Sequence, residues 1–137
     1  GDAFPEMNIR TWDNKIVTTK DLVPDYPIIF VLFNPGCGHC KDIIMNVQNN
    51  LGMFKNTNIV FVAGKPLQGE LPRFVGEMKL DKVEEIVIAG DDSGVIEKVF
   101  EYNGIPQIML YDKMHTLQHI YYSEASLAEM AQKLYGR

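Results

Sequence analysis

The sequence predicts an α/β fold, a central mixed β-sheet flanked by helices, and three observations carry that expectation. Short apolar runs at Ile28–Phe33 and Ile59–Val62 alternate with segments of helical periodicity. Two strand-like segments, 107–112 and 117–122, lie close enough for a hairpin. A cysteine pair, Cys37 and Cys40, follows the first apolar run and opens a helix-like segment. Strands separated by helices imply parallel neighbours, and hairpins add antiparallel ones, so the sheet is mixed.

Residues 4–20 read as an N-terminal β-hairpin, with Ile9 and Val17 on either side of the turn-forming Asp13-Asn14-Lys15. Pro24 and Pro27 punctuate a connector. The run 28–33 is rich in β-branched and aromatic residues and reads as a strand buried on both faces. Beyond the cysteines, Ile43, Ile44, Val47 and Leu51 recur on one helical face, and Gly52 marks the stop. A second buried strand covers 58–63. Leu71, Phe74, Val75 and Met78 form the apolar stripe of a helix over 69–79. Ile86–Ala89 is a short strand ended by Gly90-Asp91-Asp92. Ser93 is placed as the cap of a helix through Tyr102, with Val95, Ile96, Val99 and Phe100 on its buried face and Asn103-Gly104 as its end. The hairpin turns near Lys113–His115, and a final helix from Glu124 to Tyr135 carries Leu127, Met130 and Leu134 on one side. With no internal repeat and no linker, 1–137 reads as a single domain.

Composition narrows the function. Domains of roughly 150 residues bury about 68–70% of their unfolded surface, so a chain of this length needs no disulfide staple. A net charge of −5, with 13 scattered basic residues, argues against a nucleic-acid partner. No apolar stretch reaches the roughly 20 residues of a membrane-spanning helix. The chain opens on Gly1-Asp2-Ala3 rather than Met, which is compatible with a leader or anchor removed upstream.

The chemistry points to Cys37-Gly38-His39-Cys40, whose cysteines are the only 2 in the chain. Cysteines at i and i+3 on a helix's first turn share a face and close a bridge with little rearrangement. A thiol at the helix N-terminus meets unpaired N–H groups and the positive end of the dipole, which favour the reactive thiolate. Cys37 is therefore the expected nucleophile, and Cys40, a turn deeper, the resolving thiol. Pro35 and Gly36 fit a tight strand-to-helix turn. His39 is either an exposed turn residue or an imidazole that stabilises the thiolate and tunes the couple within the range of about −270 to −120 mV. Ile105-Pro106 precedes a strand. It is either a plain strand start or a cis peptide beside the cysteines, presenting backbone to an extended substrate with Ile105 as main contact. The competing readings of the cysteines are a structural bridge, an unreactive buried pair, and a zinc site for which only His39, His115 and His119 add nitrogen.

With these residues in order, the chain resembles the thioredoxin superfamily, and more narrowly its extracytoplasmic reductase-like branch, the TlpA/ResA group. The matching features are Trp12-Asp13-Asn14-Lys15 followed by Asp21-Leu22, the strand leading into Cys37-Gly38-His39-Cys40-Lys41, and Gly104-Ile105-Pro106 ahead of Ile108-Met109-Leu110-Tyr111-Asp112. The resemblance implies a thioredoxin-like three-layer fold with a strand–helix segment inserted between Ala63 and Gly104. It implies an enzyme, a thiol–disulfide oxidoreductase serving cell redox homeostasis, with Cys37 as nucleophile, Cys40 as resolving thiol and Pro106 in cis. It also implies a protein disulfide or dithiol substrate, a redox partner protein, and no cofactor beyond the redox-active disulfide and no metal. The location implied is the periplasm or another extracytoplasmic space, often behind a membrane or lipid anchor. The chain departs from the superfamily in having Gly36 where a Trp usually precedes the first cysteine. Val31 and Ile43 stand where a buried carboxylate is expected, and Asp42, nearby, is expected to face solvent. Gly38-His39 matches the dipeptide of protein disulfide isomerases. The rival functions are a protein-binding module that uses the Ile105-Pro106 groove with incidental redox activity, and a thiol peroxidase. The single Trp12 and most of the 7 methionines read as packing, and His119 as a surface or edge residue. Asp91-Asp92 reads as a turn, with a loose cation site as the alternative.

Overall fold

The computed structural model describes residues 1–96 and 104–136. Among these, the strands are β1 (Asn8–Thr11), β2 (Ile16–Thr18), β3 (Ile28–Phe33), β4 (Asn58–Ala63), β5 (Ile86–Asp91), β6 (Gln107–Tyr111) and β7 (Leu117–Tyr122). They form one 7-stranded sheet in the order β2-β1-β5-β4-β3-β6-β7. Strands β3, β4 and β5 run parallel. The outer pairings, β1 with β5 and with β2, and β6 with β3 and with β7, are antiparallel.

Every residue of β3 is buried, as a continuous apolar run requires when both faces of a strand are covered. The pleat sends Ile29, Val31 and Phe33 into one core and Ile28, Phe30 and Leu32 into the other. Helices α1 (Gly38–Asn49), α2 (Leu71–Glu77) and α3 (Leu127–Tyr135) supply the first core with Cys40, Ile44 and Val47, with Leu71, Phe74 and Val75, and with Met130. Phe4, Met7, Val17, Leu22 and Ile96 close the other face. Phe4 stands edge-on to both Phe30 and Tyr111, at centroid distances of 5.2 and 4.9 Å. Burying each such side chain stabilises the fold by about 1.5–3 kcal/mol.

Several boundaries differ from the sequence reading. Helix α1 ends at Asn49, and Gly52 lies within a following 3-10 turn, Leu51–Phe54. The stripe read as a helix over 69–79 is split into a 3-10 segment, Lys65–Glu70, and the shorter α2, with Pro72 in its first turn. Strand β5 does not stop at Gly90, because Gly90 and Asp91 continue the ladder against Arg10 and Ile9 of β1. The C-terminal helix begins at Leu127 rather than near Glu124, where Ser126 accepts the Glu129 N–H at 3.3 Å.

The capping of the segment after β5 also differs. Residues 95–96 have helical backbone, but the groups at its start are held by Asp91 rather than by Ser93. The Asp91 carboxylate accepts from the Gly94 N–H at 3.0 Å and the Ile96 N–H at 2.9 Å. Asp91 is 3% exposed, so this is a buried charge held by backbone donors. Asp92 instead pairs with the Arg10 guanidinium at 3.1 Å. Both carboxylates are thus taken up by protein donors. The remainder of the expected helix through Tyr102 lies outside the described residues.

Candidate active site

The candidate site sits where β3 ends and α1 begins. Phe33 is the last residue of β3, and Asn34-Pro35-Gly36 carry the chain from the C-terminal end of that strand into Cys37. Asn34 organises this turn twice. Its side-chain oxygen accepts the Gly36 N–H at 2.8 Å, and its carbonyl accepts the Cys37 N–H at 3.0 Å. Asparagine is suited to such turns because its short side chain replaces a backbone acceptor. The sequence reading passed over Asn34, although the run Asn-Pro-Gly carries the signal.

Cys37 is the N-cap of α1, with extended backbone (φ −88°, ψ 120°). Its sulfur takes the role usually filled by a Ser or Asp oxygen and accepts the Cys40 N–H at 3.2 Å. Cys37 is half-buried at the margin of the first core, whereas Cys40 is fully buried within it. Both thiols are free. Burial pushes the Cys40 thiol up to about 12, with the adjoining Cys37 side chain adding to the rise and the Asn34 backbone opposing it. No carboxylate contributes to that rise, and Val31 is fully buried in the same core as Cys40.

Pro35 is buried, while Gly36, Gly38 and His39 are exposed. His39 and Asp42, also exposed, line a groove of about 420 Å³ between α1 and the β7–α3 connection. The antiparallel register pairs Leu32 of β3 with Gln107 of β6, so the residues just before β6 lie beside the end of β3. Ile105 and Pro106 are thereby brought to the same end of these strands as the cysteines. The Ile105–Pro106 peptide bond is cis, Pro106 is buried, and Ile105 packs against the core that Cys37 also borders. Gln107, 1% exposed, donates from its side-chain amide to Met109 sulfur at 3.6 Å, and its oxygen has no partner among the described residues.

Trp12 directly follows β1, its backbone N–H donating to the Ile88 carbonyl and its side chain packed on the first core. His119 lies on β7, at the sheet edge, 4.3 Å from the Tyr121 ring centroid. Among the described residues no group of three or more His, Cys, Asp and Glu side chains is placed to hold a metal ion. None of their helices is long and apolar enough to cross a membrane.

A half-buried cysteine whose sulfur caps a helix, with a buried thiol one turn inside, is an arrangement that supports dithiol–disulfide exchange. Solved structures share this architecture. The chain is similar to a secreted Mycobacterium tuberculosis disulfide oxidoreductase homologous to E. coli DsbE, with TM-score 0.73 and 16% identity over 95% of each chain. It is similar to a thiol:disulfide interchange protein of the thioredoxin family from Chlorobium tepidum, with TM-score 0.77 and 15% identity over 98% of this chain and 94% of that one. It is also similar to the thioredoxin domain of a Bacteroides vulgatus thiol-disulfide oxidoreductase, with TM-score 0.78 and 16% identity over 97% of this chain and 95% of that one. No protein-family model and no curated protein sequence matches the chain. The chain has a thioredoxin-like fold.

Proposed function

We propose that this protein is a thiol–disulfide oxidoreductase acting on protein disulfides. The observation that carries the reading is the Cys37 sulfur at the cap of α1, accepting the Cys40 N–H at 3.2 Å, with the Cys40 thiol buried behind it. In the reducing direction the Cys37 thiolate attacks one sulfur of a substrate disulfide, forming a mixed disulfide and releasing the other sulfur as a thiolate that takes up a proton. Cys40 then gives up its proton and attacks the Cys37 sulfur, which breaks the mixed disulfide and frees the second substrate thiol. Two electrons pass from the dithiol to the substrate, and the protein is left with a Cys37–Cys40 disulfide. A dithiol partner protein reverses these steps to restore the reduced form, and no further cofactor enters the cycle.

Division of labour follows from burial. Cys37 is within reach of a protein substrate, whereas Cys40 is screened from external disulfides until the mixed disulfide forms beside it. The backbone around Ile105-Pro106, at the same end of the strands, is the assigned resting place for the substrate strand. Among solved structures of this fold, the secreted M. tuberculosis oxidoreductase supports an extracytoplasmic site of action.

Equilibration of the protein against glutathione buffers tests the reading. The expected result is a two-electron transition confined to Cys37 and Cys40, near −270 mV for a reductase or about −180 to −120 mV for an oxidant or isomerase. The absence of any such transition overturns the proposal.

A further inference from the structure

The groove of about 420 Å³ between α1 and the β7–α3 connection is lined by charge of one sign. Asp42 on α1, Glu124 on the connection and Glu129 in the first turn of α3 are exposed along it, and among the described residues no Lys or Arg lines it. None of these carboxylates is in an ion pair among the described residues. Glu129 stands where a capping box would turn its carboxylate back to the Ser126 N–H. Only half of that motif forms. Ser126 accepts the Glu129 N–H, and the Glu129 carboxylate makes no return bond among the described residues. The N-termini of α1 and α3 bring roughly half a positive charge each, which the carboxylates outweigh.

A second observation is independent of that charge. Tyr121 lines the same groove and is 9% exposed, and its hydroxyl has no hydrogen-bond partner among the described residues. Its side chain projects from β7 onto the face that α1 and α3 cover. Burial, and then the Glu129 carboxylate, push the Tyr121 pKa up, so Glu129 lies close by without meeting hydrogen-bond geometry. A donor entering beside Glu129 would give this buried oxygen its partner.

The occupant is thereby narrowed to a cation that carries N–H groups. Among the described residues no three His, Cys, Asp or Glu side chains are placed to hold a metal ion, so an organic cation fits better than a metal. Ile43, half-buried in the wall, offers apolar surface to the methylene stem of Lys or Arg. His39 joins the groove to the cysteines, since it stands between them in the chain and about 3 Å from Cys37 along the axis of α1.

We propose that this groove is a subsite for a Lys or Arg side chain close in sequence to the reacting cysteine of the protein substrate. The inference rests on the oxidoreductase reading and refines its substrate class. In this assignment Asp42, Glu124 and Glu129 hold the basic head group while the substrate disulfide lies at the Cys37 sulfur.

The test uses two cystine-bridged peptides that differ only in having Arg or Gln on both sides of the cysteine. Each rate is divided by that of dithiothreitol on the same peptide, which removes the effect of flanking charge on the disulfide itself. At low ionic strength the reduced, unaltered protein is expected to favour the Arg peptide about fivefold to tenfold in kcat/KM, the scale of two or three exposed ion pairs together. Glu124→Gln with Glu129→Gln is expected to bring that ratio to within about twofold. Glu84→Gln with Glu85→Gln removes as much charge just before β5, at the other end of the parallel strands, and is expected to keep the ratio. Asp42→Asn with Glu124→Gln gives the same readout should the Glu129 variant not fold. Equal rates for the two peptides with the unaltered protein, a ratio unchanged in the groove variants, or a ratio that falls as far in the Glu84 and Glu85 variant overturns the subsite. Turnover of hydroxyethyl disulfide, which is uncharged, reads the redox reaction separately. Should that turnover be absent, binding of Cys-to-Ser versions of the two peptides, measured by fluorescence anisotropy with the same variants, decides the subsite without any exchange.

Discussion

The Cys40 amide donates to the Cys37 sulfur across 3.2 Å, so the two cysteines are tied by a helix cap before any bond joins their sulfurs. One chain segment thus performs two tasks. The first turn of α1 satisfies one of its own unpaired N–H groups, and the acceptor it uses is the atom to which the proposed cycle assigns the attack. Because Cys40 supplies that N–H from its backbone, changing its side chain leaves the contact in place.

This separates the two cysteines by experiment. Cys37→Ser is expected to reduce disulfide exchange to the uncatalysed background. Cys40→Ser is expected to keep the attack and stall after it, accumulating a mixed disulfide that dithiothreitol releases. Mass spectrometry of each variant after incubation with a disulfide peptide reads both outcomes. A mixed disulfide found on Cys40 of the Cys37→Ser variant would contradict the division of labour.

The Cys40 thiol also gives a pH dependence. Its folded value, about 12, lies above the ordinary 9.0. The folded reduced protein therefore holds this proton more tightly than the unfolded chain does. The stabilisation is complete below about pH 9 and is lost as pH rises towards 12. Urea midpoints of the reduced protein are expected to fall across that window more steeply than those of Cys40→Ala. Alkylation by iodoacetamide below pH 9 is expected to label Cys37 and leave Cys40 intact.

Asn34 holds the turn that presents Cys37. Asn34→Ala removes the acceptor of the Gly36 N–H and is expected to cost about 0.5–1.5 kcal/mol, measured by urea unfolding. Asn34→Asp keeps an acceptor at that position and is expected to retain most of this stability. The thiol–disulfide exchange rate is expected to follow the same order, since the turn that loosens is the one bearing the sulfur.

Asp91 ties β5 to the segment that follows. Its buried carboxylate accepts two backbone N–H groups, so Asp91→Ala leaves both donors without their partner. The expected loss is about 1.5–3 kcal/mol, the range for hydrogen bonds to a charged group. Asp91→Asn is expected to lose less, because its amide oxygen still accepts one of them. Equal stability of all three proteins in urea would contradict the role.

Local pattern determined a great deal on its own. The apolar run 28–33, the cysteine pair behind it and the alternation of strand and helix specify which segments form β3, α1 and β4, because periodicity and turn residues act over a few positions along the chain. The same signals single out Cys37 and Cys40 as the candidate reactive pair. What only the tertiary structure decided is whatever depends on neighbours distant in sequence. Gly90 and Asp91 read as a turn, yet β1 offers them a ladder and they stay in β5. Ser93 reads as a cap, yet Asp91 reaches the N–H groups from within the sheet. Cys37 and Cys40 look alike in the sequence, and they differ because α1 packs Cys40 onto β3 while leaving Cys37 at the core's margin. Burial is set by which surfaces meet, and no window of the sequence contains both surfaces.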